Sequence, residues 1–295
     1  MNEVYAANPS VIGSSADLRF LLSKFGPYAG RYLLKYPSFW HEQVLSDGLS
    51  DLEQERIKAL LRRAQEDLRF VARASAPWHE THTWDENITK LLIEGAALHQ
   101  VISHRAPSTS FIRYDDFDPA PTAEEQVLGT ATEYARVSKT LLSFSPELHF
   151  IDPYINLEKE EYYEPLKAMI SVAARGKCQA LYIWARQKNL ITQANQNTFL
   201  TAQQGALSRL KREAKCKDGT LVKMYLLEDE SSEHKLHARY LLSIKGGIRF
   251  DQGFQILRQS RTADISPIGQ DLHHSLLERY KEAFMSKLIK EHLTA

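Results

Sequence analysis

The strongest constraint in this sequence is an alternation of short apolar runs and longer amphipathic stretches that begins at Pro146. The runs LHFIDPYI, QALYIWA and LVKMYLL have the length of strands, and the segments 158–175 and 196–215 between them have helical periodicity. A β-α-β-α-β order is typical of parallel strands, because parallel neighbours need a crossover connection. Two more strand candidates, HARYLLS and GIRFDQGF, follow with a last amphipathic helix. This half therefore predicts an α/β/α domain with a mixed sheet.

Residues 15–104 carry helical signals instead. Apolar residues recur there at intervals of three to four, and Ser50 with Glu53 predicts a capping box at the start of an amphipathic helix. A further helix is predicted from about residue 85 to 103. We therefore expect a small N-terminal helical domain.

The run RAPSTSFIRYDDFDPAPT separates the two patterns. It is rich in proline, serine and aspartate, and it breaks the periodicity for longer than most connections inside a compact domain. We place the boundary there, with an N-terminal helical domain over 1–122 and the α/β domain over 123–295. A helix predicted from about 123 to 143 could pack on either domain.

Charge and composition limit the choice of partners. Lysine plus arginine and aspartate plus glutamate number 37 each, so no overall field draws the chain to polyanions, and such binding needs a local patch. Only two cysteines occur, and the first ten residues lack the basic and apolar regions of a signal peptide. No stretch approaches the ~18 apolar residues of a membrane span. We expect a cytoplasmic protein.

The segment HARYLLSIKGGIRFDQGF predicts a β-hairpin, because the glycines at 246 and 247 supply the positive φ of a tight turn. A two-residue Gly-Gly turn would mix charged and apolar side chains on one face. A three-residue loop at 245–247 separates them, and we expect that register. One face would then hold Tyr240, Leu242, Ile244, Ile248 and Phe250, and the other His237, Arg239, Ser243, Arg249 and Asp251.

The motifs in this half resemble the phospholipase D superfamily, whose signature is H-x-K followed by aspartate and glycine. Here the tripeptide is H-A-R at 237–239, followed by Gly253 and Phe254, and D-P-Y at 152–154 ends the first strand. The pattern is most similar to a divergent H-x-R branch found in the C-terminal domain of MIT-domain proteins and in bacterial proteins implicated in phage defence. The resemblance extends from about residue 147 to 290.

The resemblance implies a phosphodiesterase or nuclease chemistry that needs no metal and no cofactor. His237 would attack phosphorus to give a phosphohistidine, and a second histidine would protonate the leaving group. Because the chain has one H-x-R, the second histidine would come from a homodimer. The candidate catalytic set is His237, Arg239 and Asp251, and the candidate phosphate-binding set is Arg239, Arg249, Asp152 and Tyr154. Asp251 and Arg249 enter these sets from the polar face of the hairpin, where a cross-strand ion pair is the alternative. Asp152 lies at the carboxyl end of the first predicted strand, where a turn-forming aspartate before proline is the alternative.

Two weaker signals have plainer alternatives. The pair His79 and His82 has a spacing used in zinc sites, but no thiolate or carboxylate set completes it, so we predict no metal site. A basic run at the end of the 196–215 helix offers contacts to nucleic-acid phosphates, although cations at a helix C-terminus are also expected from the helix dipole. This patch comprises Arg209, Lys211, Arg212, Lys215 and Lys217.

Three hypotheses follow for the chain. The first is a phospholipase D-like homodimer that cleaves or binds nucleic acid, because no amphipathic membrane-binding stretch favours lipid. The second is a non-catalytic module that recognises phosphate groups at Arg239, since arginine replaces the lysine of the superfamily, while the N-terminal domain docks a partner protein. The third is a structural scaffold, which predicts a hairpin whose polar face is filled by internal ion pairs.

Overall fold

The structure is a computed structural model, and it describes residues 3–45, 48–72, 77–94, 98–120, 124–192, 195, 197–228, 239–258, 261–281, 286 and 288–295. The chain packs as two compact units, which comprise residues 2–122 and 123–295. Both units contain helices and sheets, so the α/β class is confirmed.

The N-terminal unit is built on a five-stranded sheet, so the prediction of a purely helical domain is wrong. All of the pairings in this sheet are parallel, and the strand order is β3-β2-β1-β4-β5. The strands are β1 (Glu3–Ala7), β2 (Arg31–Leu34), β3 (Phe70–Val71), β4 (Gln100–Ser103) and β5 (Phe111–Arg113).

Four helices accompany this sheet: α1 (Ser15–Ser23), α2 (Trp40–Val44), α3 (Asp51–Glu66) and α4 (Trp84–Ile93). Apolar residues of α1 and α3 form one core cluster with β1 and β2, in which Trp40 is fully buried. The indole N–H of Trp40 donates to the carbonyl of Ala7 at 2.7 Å, which satisfies a polar group inside this core.

Two of the strands lie where the sequence pattern predicts the ends of helices. The helix expected from about residue 52 ends at Glu66, and β3 follows after a turn in which Leu68 has a φ of +57°. The helix expected over 85–103 is likewise divided between α4 and β4. Short buried parallel strands show no apolar-polar alternation, and a run of two to four apolar residues continues a helical pattern equally well.

The C-terminal unit contains an eight-stranded mixed sheet of order β13-β9-β8-β7-β10-β11-β12-β6. Strands β7, β8 and β9 are parallel, and the other five pair antiparallel. The strands are β6 (Glu125–Leu128), β7 (Glu147–Ile151), β8 (Ala180–Arg186), β9 (Leu221–Leu227), β10 (Tyr240–Ser243), β11 (Gly246–Phe250), β12 (Thr262–Pro267) and β13 (Ile289–Thr294).

Helices cover both faces of this sheet, as expected for an α/β/α arrangement. The large core cluster joins one face of the sheet to α5 (Ala131–Phe144), α6 (Glu160–Arg175) and α7 (Phe199–Glu213). A smaller cluster on the opposite face joins β7, β8, β9 and β10 to α8 (Gln270–Arg279). Helix α5 therefore belongs to this unit, and it lies against α6.

The β10–β11 hairpin is present, but the predicted register is wrong. Leu241 pairs with Ile248 and Ser243 with Gly246, so the turn contains only residues 244 and 245. The prediction assumed one apolar and one polar face, whereas both faces of this hairpin are buried. Leu241 and Ile248 belong to the large cluster, and Leu242 belongs to the cluster under α8. Alternation cannot specify the register of a strand that is apolar on both faces.

The last helical pattern is also shorter in the structure than in the sequence. It was expected to carry Leu272, Leu276, Tyr280, Phe284 and Leu288 on one apolar face, but α8 ends at Arg279 and β13 follows at Ile289. Leu276 and Tyr280 are buried, while Leu272 is 48% exposed. Phe284 lies outside the described residues, and Leu288 packs against the cluster under α8.

Two leucine substitutions test this placement of α8. We expect Leu276→Ala, at a side chain that is 4% exposed, to lower the free energy of unfolding by about 2–5 kcal/mol because it leaves a cavity. Leu272→Ala is the matched control and should change the free energy by about 0.5 kcal/mol or less. Urea titration of both variants measures the difference, and equal losses would contradict the orientation of the helix.

Candidate functional site

The candidate site lies at the carboxyl end of β7, where three segments of the C-terminal unit meet. Tyr240 pairs with Ile151 in the antiparallel β10–β7 ladder. The next pair in this register is Arg239 with Asp152, so the last residue of the H-A-R motif lies beside the first residue of the D-P-Y motif. The segment after β11 closes the site from the other side of Arg239. Carboxyl ends of parallel strands are where open α/β sheets place their ligands.

Asp152 is the buried anchor of the site, with an exposed fraction of 1%. Its Oδ1 accepts the backbone N–H of Tyr154 at 2.9 Å, and its Oδ2 accepts the N–H of Phe254 at 3.1 Å. Burial raises the pKa of Asp152, while these two N–H groups and the Arg239 guanidinium act in the opposite direction. The Asp152 carboxylate therefore holds the turn after β7 and the loop after β11 next to each other.

Arg239 presents its guanidinium beside this carboxylate. Its Nε lies 4.0 Å from Asp152 Oδ1, and its Nη1 donates to the carbonyl of Asp251 at 2.7 Å. The carbon of the guanidinium is 5.4 Å from the centroid of the Tyr154 ring. Nε has no hydrogen-bond partner among the residues that the structure describes. Since Nε is itself buried, the accessible part of the group is the remainder of the side chain, which is 27% exposed. The guanidinium is thus oriented by protein contacts while part of it stays accessible to a ligand.

Gly253 permits the close approach of these groups, and its role was not predicted beyond its place in a motif. Its φ is +76°, and a Cβ at this position would lie 2.2 Å from Asp152 Oδ2 and 3.1 Å from the Arg239 Cδ. Only glycine combines this φ with so little space. The glycine lets Phe254 donate its N–H to Asp152, while the Phe254 ring packs in the core.

Further residues around the site gave no signal in the sequence pattern. Arg186 is buried at the end of β8 and donates its backbone N–H to the carbonyl of Pro153 at 3.3 Å. Asn189 donates to the same carbonyl at 2.6 Å. The Tyr162 hydroxyl donates to Gln255 Oε1 at 3.2 Å, which ties α6 to the loop after Gly253. The signal that could have located Arg186 is its place directly after the predicted strand QALYIWA, at the carboxyl end of that strand.

Some predicted site residues lie elsewhere or are engaged in other contacts. His237 lies outside the described residues. Asp251 accepts the backbone N–H of Asp264 at 2.9 Å, so its side chain joins β11 to β12. Arg249 pairs with Tyr240 in the ladder between β10 and β11, and paired residues lie on the same face of the sheet. Arg239 and Phe250 are the next pair, so they lie on the opposite face. The predicted polar face of the hairpin is therefore wrong.

A groove of about 1040 Å³ adjoins the loop that contains Gly253. One wall is formed by three glutamates at the start of α6, and the other by residues between β11 and β12. The groove is therefore lined by both signs of charge. Its charged and amide residues are Glu160, Glu161, Glu164, Gln252, Gln255, Arg258 and Arg261.

The predicted basic patch is largely held by contacts within the protein. The Arg209 guanidinium lies 3.7 Å from the Tyr163 ring centroid and 3.1 Å from Glu160 Oε1. Lys211 donates to the carbonyl of Ala295, and Lys217 to that of Gly176. Arg212 and Lys215 lie where α7 ends and the chain turns toward the amino end of β9, which is the edge of the sheet opposite to Asp152.

The N-terminal unit also has the crevice expected between β1 and β4, where the strand order reverses. Asp85 fills it by accepting hydrogen bonds from Asn8 at 3.0 Å and from the Ser103 hydroxyl at 2.9 Å. At the start of α1, Glu53 accepts the backbone N–H of Ser15 at 2.8 Å. In nucleotide-binding folds of this strand order, a phosphate group binds at the N-terminus of the first helix. Here the carboxylate of Glu53 occupies the N-terminus of α1 instead.

Glu53 also explains a second departure from the sequence prediction. Ser50 caps α3 as expected, since its hydroxyl accepts the N–H of Glu53 at 3.3 Å. The Glu53 carboxylate points to α1 rather than back to Ser50, so only half of the predicted capping box forms. A complete capping box joins Thr83 and Glu86 at the start of α4.

Comparison with known proteins identifies no family. No protein-family model matches the chain, and no curated protein matches it. Among solved structures, one match is the structure of TrmBL2, an archaeal chromatin protein that shows a novel mode of DNA binding. It is 12% identical, with 82% of this chain and 70% of that chain covered, and the TM-score of 0.30 is too low to establish a shared fold.

Two general properties of the described residues bear on ligands. No three histidine, cysteine, aspartate or glutamate side chains converge there in the way that a metal ion requires. Nor does any helix within the described ranges have the length and apolar character needed to cross a membrane.

Substitution of Gly253 tests the close packing of the site. We expect Gly253→Ala to lower the free energy of unfolding by about 1–3 kcal/mol, because the new methyl group meets Asp152 and the backbone keeps a strained φ. Gly205 lies in the middle of α7, and a Cβ added there would meet no neighbouring group within 4 Å. Gly205→Ala should therefore raise the free energy of unfolding by up to about 1 kcal/mol. Urea unfolding of both variants measures the two signs, and a neutral Gly253→Ala would refute the contact.

The raised pKa of Asp152 makes a prediction about stability and pH. In the unfolded chain the carboxyl has its ordinary pKa of about 3.9. Since the folded-state pKa is higher, the stabilising contribution of the protonated form is complete below about pH 3.9 and is lost as the pH rises through the folded-state pKa. We expect the wild type to lose stability relative to Asp152→Asn as the pH rises above about 4, as measured by urea unfolding at each pH. A difference that does not vary with pH would contradict the burial of an ionisable group.

Proposed function

We propose that the C-terminal unit is a phospholipase D-like domain that binds the phosphodiester of a nucleic acid at Arg239. The observation that carries this proposal is the Arg239 guanidinium, which protein contacts orient beside buried Asp152 while the side chain stays 27% exposed. A guanidinium is always charged and offers planar paired donors that match phosphate oxygens. The bacterial defence setting implied by the resemblance belongs to the same proposal.

The contacts of Arg239 support binding in one orientation. Because Nη1 is held by the carbonyl of Asp251, the plane of the guanidinium is set before a ligand arrives. Asp152 compensates part of the positive charge in the free protein, which reduces the cost of keeping the group partly buried. A preoriented donor loses less conformational entropy on binding than a flexible surface arginine.

His237 is the proposed nucleophile, on the strength of the superfamily resemblance and its place two residues before Arg239. Its imidazole nitrogen would bond to phosphorus while the bond to the leaving oxygen breaks, and a second histidine would give that oxygen a proton. Water would then cleave the phosphohistidine and restore the free imidazole. A second copy of the chain would supply the other histidine, so the active form would be a homodimer.

A non-catalytic phosphate-recognition domain is the second candidate. The observation that favours it is the engagement of Arg239 with both Asp152 and the carbonyl of Asp251. A lysine in this position would be a mobile point charge, whereas this guanidinium is a fixed clamp. A fixed clamp suits recognition even where no bond is broken.

Binding measurements on Arg239 variants test the proposed phosphate contact. We expect Arg239→Ala to weaken binding of fluorescein-labelled single-stranded DNA or RNA by about 1.5–3 kcal/mol, which is roughly 10- to 150-fold in Kd. The slope of log K against log salt should fall by about 0.7, the value for one phosphate contact on a single strand. Arg249→Ala is the matched control, since this exposed arginine lies on the other face of the same hairpin. Equal losses in the two variants would refute a specific site.

Cleavage assays separate the two candidates. A phosphodiesterase should cleave single- or double-stranded DNA or RNA in EDTA, and His237→Ala should abolish cleavage without loss of binding, with His274→Ala as a control. Sedimentation should give twice the chain mass of 33.8 kDa. Specific binding without cleavage would support the recognition domain, and failure of both binding and cleavage would exclude both candidates.

A further inference from the structure

An exposed aromatic ring lies beside Arg239. Tyr154 is 44% exposed, although it stands between Pro153 and the fully buried Ile155. The turn that presents it is fixed, because Asp152 Oδ1 accepts the Tyr154 N–H at 2.9 Å and the carbonyl of Asp152 accepts the N–H of Ile155 at 3.3 Å. The local backbone therefore holds the ring at the surface.

The ring and the proposed phosphate clamp form one unit. The Arg239 guanidinium carbon lies 5.4 Å from the Tyr154 ring centroid, within the range of a cation-π contact. A phosphate held by Arg239 would therefore place its own nucleotide or the next one over Tyr154. Any nucleobase can stack on an aromatic ring, because every base has a π-face.

A base can stack on Tyr154 only if one of its two faces is uncovered, so the contact distinguishes single-stranded from double-stranded nucleic acid. In a duplex each base is covered on both sides by its neighbours, and stacking on a protein ring requires a base that is unstacked and turned outward. Single strands and loops offer such bases at little cost, whereas a duplex must first be opened. The exposed ring therefore favours an unpaired base.

The neighbouring groove limits how much of a strand can be held. Its wall at the start of α6 carries Glu160, Glu161 and Glu164, and the cations that contact this wall, Arg209 and Lys167, are engaged with Glu160 and Glu164. This wall therefore offers carboxylates rather than free cations to a phosphate backbone. An extended basic track of the kind that follows many nucleotides is therefore absent from this wall. The arrangement suits recognition of one or two nucleotides at Tyr154 and Arg239.

We propose that Tyr154 stacks on one unpaired base of a single-stranded nucleic acid whose phosphate is bound by Arg239. This inference rests on the proposed function, since it assigns the form of the ligand at the same site. In this proposal the two ends of the D-P-Y turn have different roles. Asp152 holds the neighbouring loops, and Tyr154 contacts the ligand.

The test compares three oligonucleotides of equal length: a single strand of thymidines, the same backbone with abasic positions, and a closed duplex hairpin. The wild type should bind the thymidine strand roughly 5- to 150-fold more tightly than the abasic strand, the range expected for one stacked base. Tyr154→Ala should bind the two equally, and Tyr154→Phe should retain the preference because it retains the ring. Tyr28→Ala, at an exposed tyrosine of the N-terminal unit, is the matched control.

The outcomes keep the two proposals apart. A base preference that persists in Tyr154→Ala, or a wild type that prefers the duplex hairpin, would overturn the stacking role. If Arg239→Ala leaves binding of the abasic strand unchanged, then the phosphate site itself is wrong, whatever Tyr154 does. Anionic phospholipid vesicles form a fourth arm, and tighter binding to them than to the thymidine strand would overturn the assignment to nucleic acid. Circular dichroism and urea midpoints establish that each variant is folded.

Discussion

The buried carboxylate of Asp152 is the interaction on which the C-terminal site depends. Its two oxygens accept backbone N–H groups from the turn after β7 and from the loop after β11, and Arg239 lies alongside. A buried charge is costly unless it is hydrogen-bonded and compensated, and here all three partners belong to different segments. The position of Arg239, the exposure of Tyr154 and the need for Gly253 are all consequences of this one arrangement.

The two units differ in the charged groups that lie at the carboxyl edge of their parallel strands. In the N-terminal unit the start of α1, a natural place for an anion, is bound by the internal carboxylate of Glu53, and Asp85 is hydrogen-bonded by its neighbours. In the C-terminal unit the corresponding edge of the sheet carries the Arg239 guanidinium, whose side chain is 27% exposed. This contrast supports the proposal of a phosphate site in the second unit.

The sequence predicted best those elements whose pattern is long. Strands β7, β8 and β9 and the helices between them follow from apolar runs and helical periods of sufficient length. Strands of two to five residues in the N-terminal unit could not be recognised, because buried parallel strands lack alternation. At the site, Asp152 and Arg239 were identified by motif, yet their adjacency follows from the β10–β7 register, which no local pattern specifies. The predicted hairpin register was wrong because it put Leu241 between Arg239 and Ser243 on the polar face, whereas Leu241 is a core residue on a second buried face.

The last strand of the chain carries a consequence for any shortened or fused form of this protein. Strand β13 pairs antiparallel with β9, and the backbone N–H of Ala295 donates to the carbonyl of Val222 at 3.0 Å. Without this strand, β9 would present a full row of unpaired amides and carbonyls along the edge of the sheet. Such an edge is a template for another chain, so removal of β13 would favour aggregation. A fusion made at Ala295 would start beside β9, where the first added residues either continue the pairing or strain it.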